Sequence, residues 1–549
     1  MSFAPIRETE KEGRTPSTLA AAVDNALLAF IRVTNAPRSA AAMLAAIIVW
    51  QVVVLYLKAA TRPLWYDELL TLHVSSIHPF ALLLKALRAG VDGMPAGYYA
   101  IVQLAKMLPI DPHVAVRLPS ILGYILTLLG VYWFARGRLP ALAALTAALL
   151  VTVSPFRAYA IEARSYSLLV GSLAIGAALW QRIGDKRFVT IAFGLLLMLA
   201  VSLHHLAVVA IATFGIAELL LTVLSNRIRW RVWAAIVAAS CPFFVGLPTL
   251  LHFRALFGKN FWSQPTWITA VSTYETYLSL DQRSAFVVIL FFALVLGSLL
   301  LRTWLRPREG ASQDNFSVPE VMLIGGFLFY PALLVVLTKL LGSGYVPRYG
   351  WPAILGVVLG LIYLIGRSVQ PVAYLAGALL IACALEGGYE LRTLAKADFA
   401  GRWADLKAAS RDRPGIPVVV GSGLTYLEAS EYAPPEVRER LRGVVSAEMA
   451  VRVSHMDTTD KAIGLLAGFV PLRVQELTPF EAAHQEFILC SGGPGDWLTE
   501  YLIERSYQLM KLPSDKDLDY SLYLVKRRVR NDVVNGTTRG IVSTVPGRG

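Results

Sequence analysis

Two adjacent carboxylates, Asp67 and Glu68, stand just after the first long apolar stretch of the sequence. A carboxylate at a membrane surface, in a cleft that holds little water, binds a proton more tightly than usual and suits general-base work. Trp65 and Tyr66 directly precede the pair. The alternative is that both acids cap a helix, since a helix N-terminus favours negative charge. We expect Asp67 to act as the base and Glu68 to assist it.

A second group of charged and aromatic residues lies further along the chain. Glu162 and Arg164 stand in a polar turn before Tyr166, and Arg348 and Tyr349 precede a late apolar stretch. Arginine binds phosphate in a bidentate manner, so the two arginines are candidates for holding a phosphate group. As alternatives, Glu162 and Arg164 form a structural ion pair, and Arg348 only extends its guanidinium towards the membrane surface.

Two further pairs are weaker candidates. Lys85 and Arg88 fall on a short segment where charges are usually solvated. His204 and His205 are adjacent, and neighbouring side chains on a helix point about 100° apart. The histidines are therefore the weak candidates for a metal site. We expect no obligatory cofactor, and a divalent metal stays open.

The composition indicates an integral membrane protein. Of 549 residues, 56% are hydrophobic and 16% are charged, whereas soluble domains carry about a quarter charged residues. The net charge of +13 does not indicate nucleic acid, because lysine and arginine collect in the cytoplasmic loops of membrane proteins. Three cysteines, two of them inside apolar stretches, exclude a disulfide framework.

Eleven apolar stretches approach the roughly 20 residues that a membrane crossing needs. They are residues 39–58, 114–135, 139–155, 160–181, 187–203, 205–224, 231–252, 284–304, 318–341, 350–366 and 370–388. With the N-terminus inside, every clear basic cluster between stretches falls on the cytoplasmic side. Residues 97–108 are too short to cross and belong, with residues 79–89, to a long outer loop of juxtamembrane helices. All the candidate residues then face the outer side.

The chain resembles the GT-C glycosyltransferases, and its nearest kin look like the protein O-mannosyltransferases and the lipid A aminoarabinose transferase. The resemblance covers roughly residues 39–390. It rests on Trp-Tyr-Asp-Glu at 65–68, Met-Pro-Ala-Gly-Tyr-Tyr at 94–99, Arg-Leu-Pro-Ser at 117–120, the Ser-Pro turn at 154–155 that leads to residues 162–166, and Arg-Tyr at 348–349. It implies an α-helical polytopic membrane protein of the GT-C fold, with about eleven transmembrane helices plus juxtamembrane helices.

The resemblance also implies a reaction. A sugar would pass from a polyprenyl-phosphate donor to an acceptor hydroxyl on a glycan, lipid or protein, with inversion at the anomeric carbon. Asp67 would deprotonate the hydroxyl, Glu68 would assist, and Glu162 would form the other side of the cleft. The donor phosphate and lipid would be bound by Arg348, Tyr349, Arg164, Lys85 and Arg88, and the acceptor or sugar by Trp65, Tyr66, Tyr98 and Tyr166. The partners are therefore the donor, the acceptor and membrane lipid, with no nucleic acid.

The sequence predicts four regions. A cytoplasmic tail with an amphipathic helix over 17–33 occupies residues 1–38, the membrane domain 39–388, an α/β domain on the outer side 389–529, and a disordered tail 530–549. In the α/β domain we expect strands near 417–420, 443–446 and 487–490, a helix over 497–512 and an edge strand over 520–526. A bacterial inner membrane is the expected location.

Two other functions stay open at this point. A transporter or flippase of lipid-linked saccharides would be expected to have paired halves and charges near the midplane of the membrane. The sequence has no two-fold internal similarity, and its clearest acids stand at the ends of the apolar stretches. A relative that only binds glycolipid without catalysis is the other alternative.

Overall fold

The computed structural model describes residues 18–278, 317–394, 401–493, 495–514 and 520–527. The helices up to the first gap are α1 Thr18–Asn35, α2 Pro37–Thr61, α3 Tyr66–Val74, α4 Phe80–Arg88, α5 Ala96–Ala105, α6 Pro112–Arg136, α7 Ala141–Thr152, α8 Tyr166–Trp180, α9 Arg187–Leu203, α10 Ala207–Ser225, α11 Trp230–Ala239, α12 Cys241–Phe257 and α13 Thr269–Leu278. After the gap come α14 Val318–Leu328, α15 Tyr330–Leu341, α16 Ala353–Ile365 and α17 Val369–Arg392. Short 3-10 turns cover Pro155–Ile161 and Pro347–Gly350.

Apolar helices occupy the predicted membrane stretches. In the described residues five helices, with α11 and α12 taken as one, are long and apolar enough to cross a membrane. The number is up to seven if two bent pairs count as single spans: α7 with the turn after it, bent by 69°, and α14 with α15, bent by 56°. Helices α8, α9 and α16 are apolar but shorter. The stretch 284–304 lies outside the described residues, so the count of about eleven crossings stays a prediction.

Helices α6 and α8 pack almost backbone to backbone. A Cβ atom added at Gly123 would lie 2.2 Å from the backbone nitrogen of Leu168, and one at Gly171 would lie 2.2 Å from the carbonyl oxygen of Gly123. Small residues at such crossings allow membrane helices to approach closely. The approach brings the start of α6 against the turn that precedes α8, where the predicted residues 162–166 lie.

Three short helices lie between α2 and α6; two of them, α4 and α5, overlap the juxtamembrane helices predicted over 79–89 and 97–108. Helix α3 begins directly after the extended residue Trp65, and α4 and α5 are 9 and 10 residues long. Helix α6 then begins at Asp111, whose carboxylate accepts hydrogen bonds from the backbone nitrogens of His113 and Val114. Pro112 takes the first helical position, where its missing N–H costs nothing.

The C-terminal part is an α/β domain around a six-stranded sheet of order β3-β2-β1-β4-β6-β5. Its strands are β1 Val418–Val420, β2 Leu441–Val445, β3 Val474–Glu476, β4 Glu486–Ser491, β5 Gln508–Lys511 and β6 Ser521–Lys526. Its helices are α18 Ala404–Arg411, α19 Gly423–Tyr432, α20 Pro435–Arg438, α21 Ala447–Ser454, α22 Thr458–Ala467, α23 Leu477–Ala483 and α24 Trp497–Glu504. Strands β1 to β4 are parallel, and β6 pairs antiparallel with β4 and β5.

Both faces of this sheet are covered, so the domain has three layers. Val418 and Ile488 pack in the same apolar cluster as the membrane helices, whereas Val419 and Leu489 pack in a second cluster with α24. One face of the domain is therefore continuous with the membrane core. The hydroxyl of Tyr432 accepts a hydrogen bond from the backbone nitrogen of Leu64, just before α3, at 2.8 Å.

Three secondary-structure predictions for this domain were wrong or incomplete. The helix expected over 497–512 ends at Glu504, and residues 508–511 form strand β5 because they pair with β6. Strand β6 was expected at an edge but lies between β4 and β5. Strand β3 was missed because its side chains are mainly exposed and form no apolar stretch. The predicted tails 1–16 and 530–549 lie outside the described residues.

Candidate active site

Glu68 and Arg117 form an ion pair that is completely buried. Arg117 Nη2 lies 2.6 Å from Glu68 Oε2, and Arg117 Nε donates to Oε1 at 2.7 Å. The remaining donors of Arg117 bond to the carbonyl oxygens of Ala59, Arg62 and Pro63. All five N–H groups of the guanidinium are thus used, and the pair ties the end of α2 to the starts of α3 and α6.

The same ion pair also fixes the turn before α8. Glu68 Oε1 accepts a hydrogen bond from the backbone nitrogen of Ala163 at 2.7 Å. The hydroxyl of Ser120 reaches the same turn and lies 2.6 Å from the carbonyl oxygen of Glu162 and 2.9 Å from that of Arg164. Glu68 therefore holds structure and does not point a free carboxylate at a substrate. The first and last residues of the motif Arg-Leu-Pro-Ser at 117–120 make these contacts.

Asp67 points the other way and meets Arg348. Oxygen Oδ2 of Asp67 lies 2.8 Å from Arg348 Nη2, and the Asp67 side chain is 9% exposed. The contact is an ion pair, and Asp67 Oδ2 accepts no hydrogen bond within the described parts of the chain. The guanidinium of Arg348 lies 5.7 Å from the ring centre of Trp65 and 5.9 Å from that of Trp262. These cation–π contacts orient the cation.

Glu162 lies in the loop between the 3-10 turn and α8 and joins this group of charges. Burial raises the pKa of its carboxyl from 4.5 to about 7; the positive charge of Arg348 opposes the rise, and the charge of Asp67 adds to it. The side chain is thus poised to gain or lose a proton near neutral pH. Burial and the nearby charge of Asp67 also raise the pKa of the Tyr66 hydroxyl.

Arg164 pairs with Asp92 and not with Glu162, so the structural pair considered from the sequence is wrong. Arg164 Nη1 donates to Asp92 Oδ2 at 3.1 Å, and the hydroxyl of Tyr99 donates to the same oxygen at 2.5 Å. Both charged side chains are buried. Asp92 therefore fixes the direction of Arg164 beside the turn that carries Glu162.

A cavity of about 130 Å³ opens next to this pair. Its wall includes Arg164, Tyr349, both histidines and the aromatic side chains of α12. His204 and His205 do not lie on a helix, because the backbone at His204 is extended between α9 and α10. Both rings therefore line the same cavity. From the sequence a helix was expected here, in which neighbouring side chains point about 100° apart. No group of three or more potential metal ligands lies close together in the described residues.

Buried polar atoms without a partner are concentrated here. Within the described residues, atoms that form no hydrogen bond include Asp67 Oδ2, Arg348 Nε, Arg164 Nε, Tyr166 Oη, His204 Nε2 and His205 Nδ1. Nearly all buried polar groups in native proteins are hydrogen-bonded, so a local group of exceptions indicates a place where a ligand binds. The ring centre of Tyr349 lies 6.2 Å from that of Tyr166 and 4.9 Å from that of His204, so Tyr349 contacts both of these side chains.

Other predicted site residues lie elsewhere. Lys85 and Arg88 are exposed on α4 and form no ion pair in the described structure. Arg88 instead borders a groove of about 420 Å³, lined mostly by apolar side chains, which shares Met94 and His205 with the cavity. Tyr98 is buried in α5 against Tyr99 and does not line the cavity.

Three residues that sequence reasoning did not single out complete the site. Asp92 and Tyr99 hold Arg164, and Trp262 flanks Arg348. Asp92 had a signal, because it is an acid in the outer loop directly before the turn Gly-Met-Pro at 93–95. Trp262 had no comparable signal, since its position beside Arg348 is set by tertiary packing alone.

Comparisons with known proteins support the fold. No model of a known protein family matches the chain, and no curated protein matches it. Among solved structures, ArnT from Cupriavidus metallidurans in the apo state superposes with a TM-score of 0.52 at 13% sequence identity, covering 88% of this chain and 98% of that chain. The structure of ArnT bound to undecaprenyl phosphate gives the same values. An Archaeoglobus fulgidus oligosaccharyltransferase, at 10% identity, covers 87% of this chain and 72% of that chain with a TM-score of 0.42.

The match to ArnT extends over the membrane helices and the C-terminal sheet alike, since nearly all of that chain is covered. It agrees with the architecture described above, in which a bundle of apolar helices carries a mixed α/β domain. It also agrees with the resemblance found from the motifs at 65–68, 117–120 and 348–349. The chain therefore shares the fold of ArnT, and this agrees with the fold that the motif resemblance predicted.

Proposed function

We propose that this protein is a membrane glycosyltransferase that moves a sugar from a polyprenyl-phosphate donor to an acceptor hydroxyl. The observation that carries the proposal is the buried ion pair of Asp67 and Arg348, together with the buried polar atoms of Arg164, Tyr166 and the two histidines that form no hydrogen bond within the described residues. The likeness to an ArnT structure that holds undecaprenyl phosphate supports the class of donor. Reaction on the outer face of an inner membrane, with inversion of the anomeric centre, belongs to the same proposal.

In this reaction Asp67 acts as the general base. Its carboxylate accepts the proton of the acceptor hydroxyl while the hydroxyl oxygen attacks the anomeric carbon of the donor. The bond between that carbon and the phosphate oxygen breaks, and its electron pair leaves with the phosphate. Asp67 Oδ2 accepts no hydrogen bond within the described residues, so the carboxylate keeps the capacity to accept the proton of the hydroxyl. Arg348 fixes the carboxylate from one side.

The leaving phosphate gains charge as its bond breaks, and cationic groups next to it lower the barrier. Arg164 is the best-placed candidate, because it is buried, oriented by Asp92 and borders the cavity. His204 and His205 have unpartnered ring nitrogens at the same cavity and are suited to bind further phosphate oxygens. The apolar groove beside α4 and α12, which meets this cavity at Met94 and His205, is suited to the donor's lipid chain.

Glu162 has a separate role in this proposal. Its carboxyl group lies near the charges of Asp67 and Arg348. Because its pKa is about 7, the protonated form can donate a hydrogen bond to a sugar hydroxyl and the ionised form can accept one from it. Trp65, Tyr66 and Tyr166 provide rings and a hydroxyl around the same place. We assign Glu162 to binding the sugar or acceptor, with Asp67 alone as base.

A donor screen on the purified protein tests this function. Proteoliposomes containing the protein are supplied with polyprenyl-phosphate donors labelled in the sugar, and both label transfer and release of polyprenyl phosphate are measured. The proposal predicts that one donor gives transfer and release in equal amounts. Movement of the label across the bilayer with no transfer would support a transporter instead, and binding of donor with neither process would support a non-catalytic relative.

A further inference from the structure

A second cleft, separate from the Asp67 site, lies where the α/β domain meets the end of α3. It has a volume of about 430 Å³. Its polar lining consists of His73, Tyr426, Ser430, Arg438, Glu439 and Arg473, and two prolines and two leucines complete the wall. None of these residues has a part in the reaction proposed above, so the cleft needs a function of its own.

The charge of this cleft is mostly positive. Arg438 and Arg473 are exposed at its rim, and neither forms an ion pair within the described residues. Arg442 lies close by, since its charge and that of Arg473 both act on the buried hydroxyl of Tyr426. The positive charge of Lys106 also acts on His73 from the membrane side. Glu439 is the carboxylate among the described lining residues.

An unpartnered nitrogen points to a ligand in the same place. Nε2 of His73 is buried and has no hydrogen-bond partner in the described structure. A buried polar atom of this kind is unfavourable unless a ligand atom or water bonds to it. A neutral imidazole can donate this N–H to a phosphate oxygen, and the arginines at the rim suit the charge of the same group.

We infer that this cleft binds a saccharide that carries a phosphate group. The phosphate binds to Arg438, Arg473 and His73. The hydroxyl groups of Ser430 and Tyr426 donate to the carbonyl oxygens of Leu427 and Arg473, so their own oxygens accept hydrogen bonds from the sugar, and the apolar wall packs against its ring. The volume exceeds what a phosphate alone would fill and is in the range of small-molecule sites. The inference does not depend on glycosyl transfer, because it concerns binding at residues that lie outside the Asp67 site.

Binding of glucose 6-phosphate to the full-length protein in detergent micelles tests the inference. The broadening of the phosphate ³¹P NMR signal on titration gives a dissociation constant. The double variant Arg438→Gln/Arg473→Gln should weaken binding by roughly tenfold or more for each arginine, as expected for charge-assisted hydrogen bonds. Both side chains are exposed, so the variant should fold normally.

Two control variants test whether the loss of binding is specific to the cleft. The variant Arg452→Gln/Arg505→Gln removes the same charge from exposed arginines near α21 and α24, on the other face of the sheet, and should bind within twofold of wild type. Arg348→Gln should also bind like wild type, because its change lies in the Asp67 site. A His73→Gln variant should show an intermediate loss.

Several results would overturn the inference. These are a ³¹P signal that wild-type protein does not broaden, a cleft variant that binds as tightly as wild type, or loss of binding in Arg348→Gln alone. Displacement by inorganic phosphate as strong as by glucose 6-phosphate would overturn the assignment of a saccharide. Failure of the transfer assay would leave this binding result unchanged, so the two proposals are tested separately.

Discussion

Removal of Arg117 provides a strict test of the buried framework behind the site. Arg117→Met deletes a guanidinium whose five donors all have partners, while the carboxylate of Glu68 stays buried. Glu68 would keep only its hydrogen bonds from the backbone nitrogens of Trp65 and Ala163. A buried charge without its counter-ion is unfavourable, so the loss should be large.

The expected loss is about 3–5 kcal/mol in the free energy of unfolding, as for other broken buried ion pairs. Neither side chain has any exposed area, so solvent screening does not reduce this value. Glu68→Gln should destabilise the protein for the same reason, by leaving Arg117 charged. The double variant should cost less than the sum of the two, because it leaves no unpaired charge. In the control Arg452→Met, which breaks an exposed pair with Glu504, the loss should stay near or below about 1 kcal/mol.

Denaturant titration of the purified variants in one detergent measures these differences. A loss in Arg117→Met no larger than in Arg452→Met would refute the structural role of the pair. Additive losses in the double variant would refute the coupling. If Glu68→Gln unfolded like wild type but had lost transfer activity, Glu68 would be catalytic after all, as the sequence first suggested.

Three further predictions follow from neighbouring contacts. Because the pKa of Glu162 is raised to about 7 in the folded protein, its contribution favours the folded state below about pH 4.5 and is lost as the pH rises through 7. Wild type should therefore lose thermal stability relative to Glu162→Gln as the pH rises from 5 to 8, and a difference that is constant with pH would contradict this. Asp92→Asn should free Arg164 and raise the KM for the donor several-fold with a smaller change in kcat, as steady-state transfer kinetics would measure; an unchanged KM would show that Arg164 needs no orientation. Ser120→Ala removes hydrogen bonds to two carbonyl oxygens of the turn at 162–164 and should cost about 1–3 kcal/mol in denaturant titration, with Ser76→Ala on the exposed end of α3 as its near-neutral control.

Much of the fold was predictable from the sequence. Long apolar stretches follow a simple length rule, so each predicted stretch within the described residues coincides with apolar helices. The short helices α4 and α5 were also predicted, over residues 79–89 and 97–108, because a segment of about 12 residues is too short to cross a membrane. In the α/β domain the strongly apolar strands β1, β2 and β4 were predicted and β3 was not, since its side chains are mainly exposed and carry no pattern.

The chemical type of the site residues was predictable, but their pairing was not. The sequence indicated Asp67 and Arg348 separately, and their contact joins residues 281 positions apart through packing of the membrane helices. Glu68 stands beside Asp67 in sequence yet points to Arg117, because adjacent helical side chains diverge by about 100°. The expectation that His204 and His205 point apart was wrong, because it assumed a helix and α9 ends at Leu203.

The role of Asp67 as base is the central claim, and a single-turnover measurement on Asp67→Asn tests it most directly. The dissociation constant of the donor is measured by titration, and the rate of sugar transfer is measured separately at saturating donor. The account predicts that Asp67→Asn binds the donor within a few-fold of wild type but transfers the sugar about 100-fold or more slowly, as expected for loss of a general base. Asp67→Asn protein that transferred at the wild-type rate would contradict the account.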